Sequence, residues 1–131
     1  MIKIVVPGRP VPKQRPRLGV QLRGRRIIKA HVYTPRETQR YAEHVRQCAL
    51  AAGVKPIDGP VAMEIDLWLY GYRGDASNYW KNIEDALNGV AYHDDRQVVD
   101  VKCRIHKARK RTDQRAEIVV RPAGEADRRA G

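Results

Sequence analysis

Phenylalanine is absent from this chain of 131 residues, and its aromatics are limited to six Tyr and two Trp. Any core must therefore rest on Val, Ile, Leu and Ala. Cysteine is nearly absent: Cys48 and Cys103 stand far apart, without the paired spacing of a metal site. That excludes a disulfide framework and a thiolate cluster, and each thiol reads as reduced core filler. No run of about 18 apolar residues and no leader-like segment is present, so the expectation is a cytoplasmic protein without membrane contact. Acids are missing from one long stretch altogether: between Arg9 and Lys29 there are eight basic residues and no Asp or Glu.

What is present is positive charge. The formal net charge is +11 and the pI about 10.1. One basic block holds Lys13, Arg15, Arg17, Arg23, Arg25 and Arg26; another holds Lys107, Arg109, Lys110 and Arg111. Blocks of this kind fit a polyanion such as nucleic acid, although a solvated surface has the same composition. With 42% hydrophobic residues the chain can bury a core of modest size. The expectation is one domain over residues 1–122 with a flexible polar tail at 123–131.

Hydrophobic periodicity places the elements. Ile2, Ile4 and Val6 alternate as a strand. Arg17 to Tyr33 reads as a loop, with at most a short strand around Ile27, Ile28, Val32 and Tyr33. Thr34 is placed to cap a helix, with Pro35 at its first position and Glu37 three residues after the cap. That helix would run to about Ala52, stop at Gly53, and bury Tyr41, Val45, Cys48 and Ala49. Val61, Met63, Ile65, Leu67 and Leu69 share one face of a second strand. A second helix begins at Asp75 and ends at Gly89. Val99, Val101, Cys103 and Ile105 form a strand. Ala116, Ile118 and Val120 form the last one, joined to the preceding strand as a hairpin with a basic tip. This order predicts an α+β fold: a mixed or antiparallel sheet with two helices on one face, and room for a dimer contact on the other.

Within this basic chain, the segment from Asp75 to Asp95 gathers acids. Asp75 opens the helix, Asn78, Lys81 and Asp85 mark its polar face, and Asp94 and Asp95 follow it. Phosphodiester hydrolysis needs an activated water and offset phosphate charge, which a few carboxylates around Mg²⁺ can provide. Lys81 could hold the phosphate, Asn78 could orient a carboxylate, and one of Asp94 and Asp95 would be a ligand with the other supporting it. Simpler roles fit the same spacing: Asp75 as a helix cap, Lys81 and Asp85 as an exposed ion pair, and Asp94-Asp95-Arg96 as a solvated turn.

The segment also resembles the signature of the RusA-type Holliday-junction resolvases, small phage and prophage endodeoxyribonucleases. Their pattern reads Asp-x-Asp-Asn-x-x-Lys, then roughly Asp-Ala-Leu-Asn-Gly, then Asp-Asp-x-Gln. This chain has Asp75, Asn78 and Lys81, then Asp85-Ala86-Leu87-Asn88-Gly89, then Asp94-Asp95-Arg96-Gln97. The opening Val6 to Arg17 and the tripeptide Tyr33-Thr34-Pro35 are similar as well. The resemblance, over about residues 4 to 120, implies a homodimer that binds four-way DNA junctions and nicks two strands symmetrically with Mg²⁺ or Mn²⁺. By position it implies Asp75 and Asp95 as metal-binding acids, with Asp94 beside them, and Lys81 as a catalytic lysine. Ser77 departs from the pattern, standing where the family has a second acid. Three readings follow. The site works with Asp75, Asp95 and water; or Asp94, Asp85 or Glu64 compensates; or the protein binds branched DNA and cleaves it poorly.

Overall fold

Alternation of Ile2, Ile4 and Val6 makes strand β1 (Ile2–Pro7), whose Ile4 and Val6 are fully buried. The computed structural model describes residues 2–15, 17–71 and 74–124. After β1 come strands β2 (Arg17–Arg23) and β3 (Arg26–Tyr33), helix α1 (Arg36–Ala51) and strand β4 (Val61–Leu69). Helix α2 (Ala76–Leu87) and strands β5 (Val98–Lys107) and β6 (Arg115–Pro122) complete the described elements. The fold is α+β, with a mixed four-stranded sheet ordered β1-β6-β4-β5 and a separate hairpin of β2 and β3.

Strand β4 is central because its two faces differ. Val61, Met63, Ile65, Leu67 and Leu69 are buried, whereas Glu64, Asp66 and Trp68 stay half-buried on the opposite face. The apolar faces of β1, β4 and β6 join Tyr41, Val45 and Ala49 of α1 and Tyr79, Ile83 and Leu87 of α2 in one core. Core packing is thus aliphatic, closed by a few tyrosines. The outer face is polar and laced by charge. Arg104 donates to Asp66 at 2.9 Å, and His106 Nε2 lies 2.8 Å from the same carboxylate. Trp68 stacks on His106 at 4.6 Å, with the Arg115 guanidinium 3.8 Å from its ring centre. Glu64 belongs to this face, 3.9 Å from Arg104.

Four expectations are corrected. Arg17 to Tyr33 is a β-hairpin, not a loop; its frequent charges obscured an alternation that cross-strand pairing makes regular. The last two strands do not form a hairpin. β5 pairs parallel with β4, β6 pairs antiparallel with β4, and β4 therefore separates them. Alternation reports a strand's faces and not its partner, and α2 makes the crossover that a parallel pair requires. Thr34 is not the cap of α1: Pro35 takes that position, and no side-chain cap bond forms. Cys48 is half-buried and Ala52 exposed, so the stripe of α1 is Thr38, Tyr41, Val45 and Ala49.

A polar tie places the segment after β1. Asn82 and Thr38, each 3% exposed, face it from α2 and α1. Asn82 Nδ2 donates to Val11 O at 3.0 Å, and Thr38 Oγ1 donates to Pro12 O at 3.2 Å. Lys13 N donates to Asn78 O at 2.8 Å. The prolines leave this stretch without sheet partners, and two buried side chains satisfy its carbonyls instead. Lys13 and Arg15 are thereby held beside α2.

Candidate active site

Helix α2 carries the site, and its two ends have opposite electrostatic character. At the start, Asp75 occupies the N-cap position with extended backbone, but its side chain makes no cap hydrogen bond. The carboxylate is exposed and lines a cleft of about 590 Å³ with Pro12, Lys13, Gln14, Arg15, Gly74 and Asn78. The second basic cluster flanks the same end of the sheet. Ala108 N donates to Leu69 O at 2.8 Å, and the Arg111 guanidinium lies 5.8 Å from the Tyr70 ring centre. Tyr70 and Gly71 precede the α2 entry, so Lys107, Arg109, Lys110 and Arg111 sit near it. Gln114 fixes this junction. Its Oε1 accepts from Arg9 at 2.6 Å and from Tyr70 N at 3.0 Å.

The other end of α2 is acidic. Gly89, at φ 81°, adopts a conformation that favours glycine and turns the chain out of the helix. Fully buried Tyr92 donates its hydroxyl to Glu84 O at 2.5 Å, locking the turn to the helix. Asp94 then caps a 3₁₀ turn over Asp95–Gln97, accepting from Arg96 N at 2.9 Å. Gln97 Oε1 accepts from Asp94 N at 2.9 Å, and its amide donates to Ile57 O and Gly59 O at 2.7 and 2.8 Å. One oxygen of Asp94 is therefore committed to the turn, whereas Asp95, among the described residues, makes no such bond to the turn backbone.

These acids influence one another. The Arg96 amide and a hydrogen bond with Asp95 hold the Asp94 carboxyl below its ordinary range. The same Asp94–Asp95 bond, then burial and the charges of Asp94 and Asp85, raise Asp95. The two carboxyls thus do not point apart as extended backbone would have them, because the 3₁₀ turn brings them together. Glu84, unremarked in the sequence, is also raised, first by burial and then by Asp95 and Asp85. Its place directly before the Asp-Ala-Leu-Asn-Gly run was the available signal.

Lys13 spans the two ends. Its Nζ donates to Asp85 at 2.6 Å, so Asp85 pairs with the N-terminal segment. Lys81 is exposed, with its Nζ 5.9 Å from the Trp80 ring centre and its charge acting on Glu84. Ser77 is half-buried in the first turn, and Asn78 lies at the cleft. Glu64 cannot compensate for Ser77, since it sits on the outer sheet face beside Arg104. Asp75 and Asp85 are separated by ten positions of helix, roughly 15 Å. Asp95 acts on Asp85 and Glu84, and hence on the far end from Asp75.

Among the described residues, no three His, Cys, Asp or Glu side chains form a group that could hold a metal ion. At the acidic end Asp94, Asp95, Asp85 and Glu84 act on one another electrostatically, and carboxylate oxygens are the donor type a hard cation takes. Of the other predicted DNA contacts, Arg23, Arg25 and Arg26 are exposed at the turn of the hairpin. The side chain of Arg17 lies outside the described residues, as does the tail from 125 onward. Burial raises both free thiols, that of Cys103 to about 11, which suits packing rather than nucleophilic chemistry.

A helix-borne acid in a basic cleft, on a small mixed sheet, is an arrangement suited to a polyanion. The profile of the RusA endodeoxyribonucleases matches residues 7–121, and the chain belongs to that family. It is also 30% identical over 126 residues to an uncharacterized protein, YqaN, of Bacillus subtilis (strain 168), with 77% of this chain and 84% of that protein covered.

Proposed function

We propose that this protein is a metal-dependent endodeoxyribonuclease that binds four-way DNA junctions as a homodimer and nicks two strands symmetrically. The observation that carries the reading is Asp75: a carboxylate unused by its own helix, in a cleft edged by Lys13 and Arg15. A junction has strands related by two-fold symmetry, and a two-fold dimer presents one site to each. Lys13, Arg15 and the Lys107–Arg111 loop hold backbone phosphates near that cleft. Lys81 offsets charge on the scissile phosphate, and Asn78 orients the Asp75 carboxylate. Asp75 and Asp95, with Asp94 in support, are the proposed ligands of Mg²⁺ or Mn²⁺, although they stand at opposite ends of α2 and would not share one ion in this arrangement. Such an ion, when bound, supplies a polarised water and charge neutralisation. No helix among the described residues is long and apolar enough to cross a membrane. A cytoplasmic location is proposed because that is where the DNA substrate resides.

Incubation of a labelled four-way junction with the protein and Mg²⁺ tests the reading. Paired nicks are expected, with loss of roughly 100-fold or more in rate for Asp75→Asn. Absence of nicking by the unmodified protein, or undiminished nicking by the variant, would refute it.

A second reading is favoured by one observation, that among the described residues no three His, Cys, Asp or Glu side chains form a group that could hold a metal ion. In it the protein binds branched DNA and cleaves weakly because Ser77 replaces an acid. Tight junction binding without Mg²⁺-dependent nicking would decide for it.

A further inference from the structure

The β2–β3 hairpin has one face that no described element covers. Its register pairs Leu18 with Val32, Val20 with Ala30 and Leu22 with Ile27. Cross-strand partners project to the same face, so these six residues form one apolar surface, with a bulge at the exposed Ile28 between the Gln21–Lys29 and Leu22–Ile27 pairs. Leu18 is 66% exposed, Val20 47%, Leu22 56%, Ile27 64% and Val32 70%. Gln21 pairs with Lys29, and Arg23 with Arg26, so the opposite face and the turn are polar and cationic. Among the described strands, β2 and β3 pair with each other and with no strand of the four-stranded sheet. A lone two-stranded ribbon is marginal in water, and this one leaves its branched aliphatics open.

We propose that two copies of this chain join through the apolar faces of their β2–β3 hairpins. The proposal rests on the dimeric reading above and supplies its interface. Charge selects a second copy as the occupant. A protein of net charge +11 repels its own kind, but this face carries no charged side chain, so apposing it brings no cations into opposition. The area is adequate as well: the five large side chains leave on the order of 500 Å² open, so two copies bury about 1,000 Å², near the lower bound for a specific interface. Face-to-face packing about a two-fold axis would also turn Arg23, Arg25, Arg26 and Lys29 outward in both copies, towards the DNA. The sheet's outer face, where room for a dimer contact was expected, carries the ion pairs of Asp66 with Arg104 and His106 and of Glu117 with Arg115.

The test replaces Leu18, Val20 and Leu22 together, with Glu in one variant and Lys in another. The unmodified protein is expected to sediment at twice its 15.0 kDa chain mass. Each triple variant should sediment as a monomer, its dimer dissociation constant raised at least about 100-fold by like charges in an apolar contact. Because the replaced residues are exposed, circular dichroism should show each variant folded. An equal mixture of the two variants should recover dimers. Triple variants that remain dimeric would overturn the hairpin assignment while leaving the dimeric reading intact. Monomeric variants that fail to recombine would overturn it too. A monomeric unmodified protein would refute the dimeric reading itself, and with it this interface; binding of that monomer to anionic phospholipid vesicles would give the face to a lipid surface.

Discussion

The residue scale turns on how each carboxylate is used. Asp94 spends an oxygen on its 3₁₀ turn, Asp85 pairs with Lys13, and Asp66 holds Arg104 and His106, but Asp75 makes no cap bond. Asp75→Asn should therefore leave the melting temperature within about 2 °C of the parent, since no stabilising bond is removed. Calorimetry checks that expectation alongside the nicking assay. Ser77→Asp returns an acid to the first turn of α2, where the helix dipole favours negative charge. It should raise Mg²⁺-dependent nicking at least about tenfold if a missing donor limits the site; unchanged turnover would mean that Asp75 and Asp95 suffice. Asp75, Asp95, Ser77 and Lys81 were legible in the sequence as a motif. The structural duty of Asp94 was not, because adjacent acids look alike until the Gln97 capping box gives them different tasks. Glu84 was also missed, since its raised carboxyl depends on burial by a turn that forms after it.

Among the elements, local order and non-local order part company. Strand β4 and helices α1 and α2 were readable because their apolar periods are properties of consecutive residues. The placement of β6 between β1 and β4 was not, since it depends on pairing over most of the chain's length. Nor was the tie between helices and the proline-rich segment. Thr38 and Asn82 are polar residues inside helical stripes, and only the folded chain reveals the carbonyls they face. Asn82→Leu keeps the volume but removes the donor for Val11. It should destabilise the fold by about 1–3 kcal/mol and speed proteolysis around Lys13 and Arg15. Denaturant unfolding and limited trypsin digestion measure both effects. The Lys107–Arg111 loop should act mainly through phosphates. Replacing Lys107, Arg109 and Lys110 with Glu should weaken junction binding and flatten its dependence on salt; fluorescence anisotropy over a salt series reads the slope.

The whole molecule is a basic protein stabilised in part by acids on its outer sheet face. The hydrogen bond from Arg104, with help from His106, holds Asp66 below its ordinary value against the opposing effect of burial. A carboxyl lowered in the folded state adds stability that is fully present above its unfolded value of about 3.9 and lost as pH falls through the folded one. Melting temperature should therefore drop below about pH 4, and Asp66→Asn should flatten that drop while leaving less stability at pH 7. The sheet order has a further consequence, for the order of synthesis. Strand β6 lies inside the sheet, with β1 on one side and β4 on the other. While the chain is still emerging from the ribosome, β1 has no strand to join and β4 can acquire only β5. The apolar edges of β1 and β4 stay open until residues 115–122 have been made, so the nascent protein depends on its last strand to close the sheet.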